Sequence, residues 1–481
     1  MGHLPGSLSL PAVPAGMTRQ RSLLFLVCLF GLVVLWAWRL PQMTVLEAAN
    51  TEATRVPVLH RSPDLSDPEA PFVGWPLARV CRETAWTPGL VFVCDNNSGG
   101  IGNIRNFMLT CIRYAIEAGA TGLVMPRIRT RSSDDLADLM KEYRDFGYFF
   151  DEAYFRTSLT ISCPRITIYN TTEDVPNASK PFRSHPLTPR NLGLRGGCDK
   201  RDLNRHTDLF ATRFHSWLLD ESKHSSLPPV SASHPRAVRL NWGVQWDWPV
   251  YRDGPEFVAS YGGLLRFRSD ILRLGKTVAA EARAFSSLSR SAVTDDGWHQ
   301  KIRRRSWRER AAGGPTATGY VGFHLRSEND ALSAWPTFDD QASGYLQAAS
   351  HRGFGAGYLA TGNRTEAQKF VEKARSQNRI RVATKHDLLR NRRADLEALE
   401  ALSWDQQALV DFVVLLYCDY FLGVSPSSFS INVALKRHVK KEGLYTRPWR
   451  VGGQGDVRSW LLGKFDRYWD DWLFMYDSIW P

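Results

Sequence analysis

The sequence has no CxxC and no clustered cysteine and histidine, which excludes a zinc site of ordinary ligand spacing. No internal repeat and no low-complexity tract dominates it, so solenoid and fibrous architectures are excluded. Its one glycine-rich loop, Ser98-Gly-Gly-Ile-Gly-Asn103, is followed by no Gly-Lys-Ser/Thr and is not a full GxGxxG. A P-loop and a dinucleotide fingerprint are therefore both missing there. No acidic pair stands in a loop poised for a divalent cation. Asp134-Asp135 and Asp339-Asp340 read instead as first-turn acids of helices.

Long apolar runs are equally scarce, and the single one is informative. Ser22 to Trp38, SLLFLVCLFGLVVLWAW, carries no charge, proline or amide. At about 1.5 Å per residue it spans a ~30 Å hydrocarbon layer with help from Leu40 and the interface. Trp36 and Trp38 stand at one end, where indoles settle at headgroup level. A cleaved signal peptide is the rival reading, but its apolar region is shorter and ends in small residues rather than WAWRLP. The expectation is a cytosolic tail at 1–21, a signal-anchor helix at 22–38, a proline-rich stem at 39–75 and a lumenal remainder.

That placement changes the meaning of the formal charge of +12. A cytosolic chain so basic would point to nucleic acid, whereas a lumenal one would favour anionic small molecules or the membrane surface. No nucleic-acid partner is expected, and the basic segment Lys301 to Arg310 reads as a solvated linker. Cys81, Cys94, Cys111, Cys163, Cys198 and Cys418 lie beyond the anchor, where an oxidising lumen permits disulfides, but their spacing selects no pairing. Sequons occur at Asn96, Asn170, Asn177 and Asn363, with Asn170 or Asn177 the expected glycan carriers.

The remaining roughly 400 residues suit two domains, expected at 76–300 and 301–481. In the first, LVFVCD from Leu90 reads as a strand, NNSGGIGN as a loop, Ile104 to Ala118 as a helix and Gly122 to Met125 as a second strand. In the second, strands at Tyr320–Leu325, Gly357–Thr361, Ile380–Thr384 and Tyr420–Val424 alternate with helices. Capping boxes are expected at Thr365/Gln368 and Ser403/Gln406. This is the pattern of two parallel α/β sheets facing one another across a cleft. Leu264 to Leu288 is expected to be helical, and the last 30 residues read as a helix packing back across the domains. Trp242, Trp246 and Trp248 are candidates for stacking on sugar or for core packing.

Three loops carry the candidate chemistry. Gly102 and Asn103 end the loop that precedes a helix whose free N–H groups suit an anion, with a tight strand-to-helix turn that binds nothing as the alternative. His324-Leu-Arg-Ser-Glu-Asn-Asp330 ends a strand, and Arg326 has the planar fork that grips a diphosphate. Asp419 to Ser430 ends in Ser427, Ser428 and Phe429 at a helix start, where hydroxyls and N–H groups serve a phosphate or simply cap the helix.

The ordered set G-I-G-N, H-L-R-x-x-x-D and D-x-F-x-G-x-x-x-S-S-F-S resembles the GDP-fucose protein O-fucosyltransferases over roughly residues 90–440. The resemblance implies a GT-B fold of two Rossmann-like domains and inverting transfer from GDP-fucose, a donor substrate, with no metal or other cofactor. It implies that Arg326 holds the diphosphate, His324 and Asp330 contact the nucleotide, and Ser427, Ser428 and Phe429 bind phosphate and base. Gly102 and Asn103 would line the first-domain side near the reacting sugar. Some relatives carry a glutamate where this chain has Asn103, so the candidate general base is Glu328, with a base from the acceptor or water as the alternative. The acceptor would be a hydroxyl of a protein or glycan, met in the ER or Golgi lumen. The competing expectations are another nucleotide sugar as donor and an inactive, anchored glycan-binding protein.

Overall fold

The run Leu90 to Cys94 is buried on both faces, as a central parallel strand demands. The computed structural model describes residues 63–132, 141–188, 210–241, 248–293, 319–327, 335–439, 451–453, 455–463 and 477–481. The anchor at 22–38, the basic segment at 301–310, Cys198, Trp242, Trp246, Glu328 and Asp330 lie outside these. Among the described residues no helix is long and apolar enough to cross a membrane.

The first half comprises α1 (Trp75–Glu83), β1 (Thr87–Val93), α2 (Ile101–Glu117), β2 (Ala120–Val124), α3 (Glu152–Ser162) and β3 (Thr167–Tyr169). It continues with β4 (Ser184–Leu187), α4 (Phe210–His224), β5 (Arg236–Leu240), α5 (Pro255–Tyr261) and α6 (Ser269–Val293). Its sheet is parallel throughout, in the order β3-β2-β1-β5-β4.

The second half opens with β6 (Val321–His324), α7 (Phe338–His351), β7 (Ala356–Ala360), α8 (Arg364–Asn378) and β8 (Arg381–Ala383). It closes with α9 (Lys385–Leu389), α10 (Arg393–Glu400), α11 (Trp404–Tyr417), β9 (Tyr420–Val424), α12 (Ser428–His438) and β10 (Ser459–Leu462). This sheet is also parallel, in the order β8-β7-β6-β9-β10. The chain winds outward in one direction from β6 and then returns to its other side as β9. The crevice at the carboxyl ends of β6 and β9 is thus a topological switch point, where open α/β sheets receive ligands.

The expected α/β class with parallel sheets is what the chain adopts, and several local expectations need correction. Helix α2 begins at Ile101, so Gly102 and Asn103 belong to its first turn and not to the loop. Gly100 takes the extended N-cap position without a side-chain cap, leaving no sequence signal for the start. Helix α8 is capped by Asn363, whose Oδ1 accepts from Glu366 N–H, in place of the Thr365/Gln368 box. The Ser403/Gln406 box on α11 is present. The last 30 residues do not begin as a helix: Trp460 lies in β10, which adds to the open edge of β9.

Two disulfides join elements that the sequence left unpaired. Cys81–Cys163 ties α1 to the end of α3, and Cys94–Cys111 ties the end of β1 to α2. Cys418 is buried and free.

Buried polar bonds hold the two halves together. Arg105 on α2 donates to Asn432 Oδ1 on α12 (2.7 Å) and to the Gly262 carbonyl (2.9 Å). Residues 477–481 thread between them. Asn106 Nδ2 donates to the Ser478 carbonyl, Trp480 N–H to Asn106 Oδ1, and Asn432 Nδ2 to the Trp480 carbonyl. Helix α6 packs so closely on α11 that a Cβ at Gly275 would lie 2.5 Å from Val413. The end of the expected stem is docked as well. Arg266 Nη2 donates to the carbonyls of Glu69 and Ala70, and Tyr417 donates its hydroxyl proton to Asp67 Oδ1.

Candidate functional site

Strand β6 ends in His324, and three groups fix the turn that follows. Gln341, fully buried on α7, accepts from Arg326 N–H (2.9 Å) and donates to the carbonyls of Arg326 (2.8 Å) and Pro336 (2.8 Å). Tyr345, one turn along α7, donates to the His324 carbonyl (3.1 Å). The backbone carrying Arg326 is therefore clamped before any ligand arrives, which lowers the ordering cost of binding.

The His324 ring lies under Phe429, stacked at 4.4 Å, with Nδ1 2.7 Å from Ser430 Oγ. Ser430 Oγ already accepts from Val424 N–H (3.2 Å), so its own proton is available to Nδ1. We assign the ring proton accordingly to Nε2. Burial, and then the charge of Arg326, push the imidazole pKa down to about 3, so the ring is neutral across the physiological range. Phe429 meets Phe412 of α11 edge-on at 5.4 Å, which closes the stack.

Helix α12 starts at Ser428, with Ser427 as N-cap accepting from Ser430 N–H. Its first turn meets that of α2. A Cβ at Gly102 would lie 2.6 Å from the Ser428 carbonyl carbon and 2.8 Å from Phe429 N. Two helix N-termini, one from each half, are therefore brought side by side, and both present partial positive charge. Gly102 serves this contact, while its neighbours Gly100 and Ile101 face the cleft with His324, Arg326 and Phe429. Asn103 is half-buried in the same turn.

The cleft has a volume of about 720 Å³, within the size range of sites for drug-sized ligands. Its far end contains groups that sequence reading did not single out. Lys385, at the start of α9, donates to Asp411 Oδ2 (2.7 Å), and Tyr358 donates to Asp411 Oδ1 (2.5 Å). The pair is almost fully buried, so each charge requires the other. The signal was present: Asp411 interrupts the apolar run of α11, and a carboxylate there needs a cation.

Nearby, Asp405 Oδ2 accepts weakly from Arg131 N–H (3.4 Å), and burial raises its pKa to about 6. Trp404 covers Gly362, where a Cβ would lie 2.5 Å from the indole. Tyr148 of the first half donates to Ser403 Oγ (2.6 Å), and its carbonyl accepts from Gln406 Nε2 (2.8 Å). The start of α11 is thus fastened to both halves at the cleft wall.

Trp248 is fully buried, with Nε1–H donating to Asp253 and the Arg113 guanidinium 4.3 Å from its ring, so it packs in the core. Asn170 is exposed, whereas Asn363 uses its side-chain oxygen to cap α8 beside the cleft residues Gly362 and Arg364. Among the described residues no group of three or more His, Cys, Asp or Glu side chains is arranged to hold a metal ion.

A family model described as GDP-fucose protein O-fucosyltransferase matches residues 90–440. No curated protein matches the chain. Similar solved structures include POFUT1 in complex with GDP-fucose, with a TM-score of 0.38 at 12% identity over 79% of this chain and 100% of that one. Another is an arginine-to-lysine mutant of Arabidopsis thaliana FUT1 in complex with GDP, with a TM-score of 0.32 at 12% identity over 75% and 71%.

Proposed function

The chain belongs to the GDP-fucose protein O-fucosyltransferase family and is a glycosyltransferase, and on that premise we propose that it transfers fucose from GDP-fucose, with inversion, to a protein or glycan hydroxyl. The observation that carries this reading is the meeting of two helix N-termini beside Arg326 and a neutral His324. Breaking the bond between sugar and diphosphate develops negative charge on the leaving phosphate. Donors fixed beforehand lower such a barrier by about 3–4 kcal/mol per group.

In this reading Arg326 grips the diphosphate, and Gln341 keeps its backbone in place. The first-turn N–H groups of α12 and the Ser427 and Ser428 hydroxyls receive phosphate oxygens, and Phe429 flanks the nucleotide. His324 contributes a neutral Nε2–H donor, with Asp330 as a further nucleotide contact. Asn103 stands on the acceptor side, and Glu328 is the proposed base. The two sheets act as the Rossmann-like halves of a GT-B enzyme. Ser22–Trp38 would hold the catalytic part in the ER or Golgi lumen, which is consistent with paired cysteines and an exposed sequon at Asn170.

Calorimetric titration of the detergent-solubilised chain with GDP-fucose, GDP-mannose and UDP-sugars tests the reading, together with assays of slow donor hydrolysis. Tightest binding and hydrolysis are expected for GDP-fucose. Preference for another nucleotide sugar would reassign the donor, and absence of any binding would favour a catalytically inert member.

A further inference from the structure

Away from the cleft, a small cavity of about 40 Å³ lies where the 63–73 segment crosses both halves. It is walled by that segment, by α2, by the α5–α6 turn, and by α11 and α12. Three cations reach it, Arg105, Arg266 and Lys436, against one carboxylate, Asp67.

The charges are unevenly matched. Asp67 Oδ1 already accepts the Tyr417 hydroxyl proton and the Glu69 N–H. Asp64, on the same segment, accepts from Ser66, and Glu69 is paired with Lys276. On the cationic side, Arg105 spends two N–H groups on Asn432 and Gly262, and Arg266 spends Nη2 on two carbonyls while lying over the Tyr154 ring. Arg266 Nε is buried without a partner. Lys436 is more than nine-tenths buried, lines the cavity, and makes no hydrogen bond or ion pair with any described residue.

We propose that this cavity is a binding site for a small monovalent anion of chloride size. A cation withdrawn from water needs a close counter-charge or full hydrogen bonding; Asp67 and Asp64 act on Lys436 through space without forming an ion pair, and Arg266 Nε has no hydrogen-bond partner. The space exceeds the ~10–15 Å³ that one water requires, so it admits a monatomic anion, and it is small for sulfate or phosphate. Burial and the Arg105 charge bring the Lys436 pKa down to about 7, and an anion beside it would favour its charged form. Because the walls come from both halves and from the 63–73 segment, an occupant would fasten all three.

Thermal unfolding of the full chain in sodium chloride and in sodium gluconate, at equal ionic strength, reads the site. A saturable rise of about 2 °C is expected in chloride only. Lys436→Met should unfold cooperatively with that rise abolished. Equal behaviour in both salts, or an undiminished chloride effect in Lys436→Met, would overturn the proposal. Should the variant fail to fold, crystals of the unaltered chain soaked in sodium bromide decide the question. An anomalous peak in the cavity supports the site, and its absence overturns it.

Discussion

Gly102 and Ser428 touch backbone to backbone, although one opens a helix of the first half and the other a helix of the second. The closeness leaves no room for a methyl group. It also places two helix N-termini next to the His324–Phe429 stack, at the edge of the candidate site.

Gly102→Ala should therefore force α2 and α12 apart. The added Cβ meets backbone, which yields less readily than a side-chain end. A loss of about 1–3 kcal/mol in urea unfolding is expected, as for overpacking generally. Donor affinity should fall in parallel, read by titration with GDP-fucose.

Arg326→Lys keeps the charge and removes the planar fork. Bidentate phosphate gripping is then lost, and transfer should drop by about 10²-fold or more. Circular dichroism should show an unchanged fold, because Gln341 holds the backbone of this turn irrespective of the side chain at 326.

The pH dependence of stability has two opposed contributions. His324 has a pKa near 3 in the folded chain, below its ordinary value. Between that pH and about 6.5 the unfolded chain binds the extra proton. Stability therefore rises with pH across this window, by up to about 1.4 kcal/mol per unit, and is flat above it. Asp405, raised to about 6, acts in the reverse sense. There the folded chain binds the extra proton, and stability falls as pH rises from about 4 to 6. Asp405→Asn should remove that fall and leave a steeper rise, measured by urea unfolding from pH 4 to 8. An unchanged profile would contradict the burial of this carboxyl.

Asp411→Asn should strand Lys385 as an unpaired buried cation, at a cost of about 3–5 kcal/mol. The double variant Asp411→Asn with Lys385→Met should recover much of this loss. A simple sum of the two single effects would show that the pair is not coupled.

How much of this was legible beforehand depended on the range of the interaction. The strand Tyr420–Val424 and the α11 capping box were readable because period and cap are local in sequence. The start of α2 was misplaced because Gly100 supplies no capping side chain. Thr365 and Gln368 match the spacing of a capping box, but Asn363 two residues earlier offers an equally good cap, and local sequence does not choose between them. Strand β10 was missed because an edge strand of four residues has almost no period to detect and exists through its pairing with β9. Glu328 and Asp330 lie outside the described residues.

The sequence by itself determined the α/β class, the alternation of strands and helices in the second half, and the His324–Arg326 and Ser427–Phe429 motifs. These follow from apolar spacing, turn chemistry and residue type along short stretches. Only the tertiary structure decided which cysteines pair, that Asp411 answers Lys385, and that Arg105 reaches Asn432 across 327 positions. It also decided that Gly102 is a glycine for the sake of Ser428. Such partners are chosen by how two folded halves press together, and no local pattern in either segment carries that information.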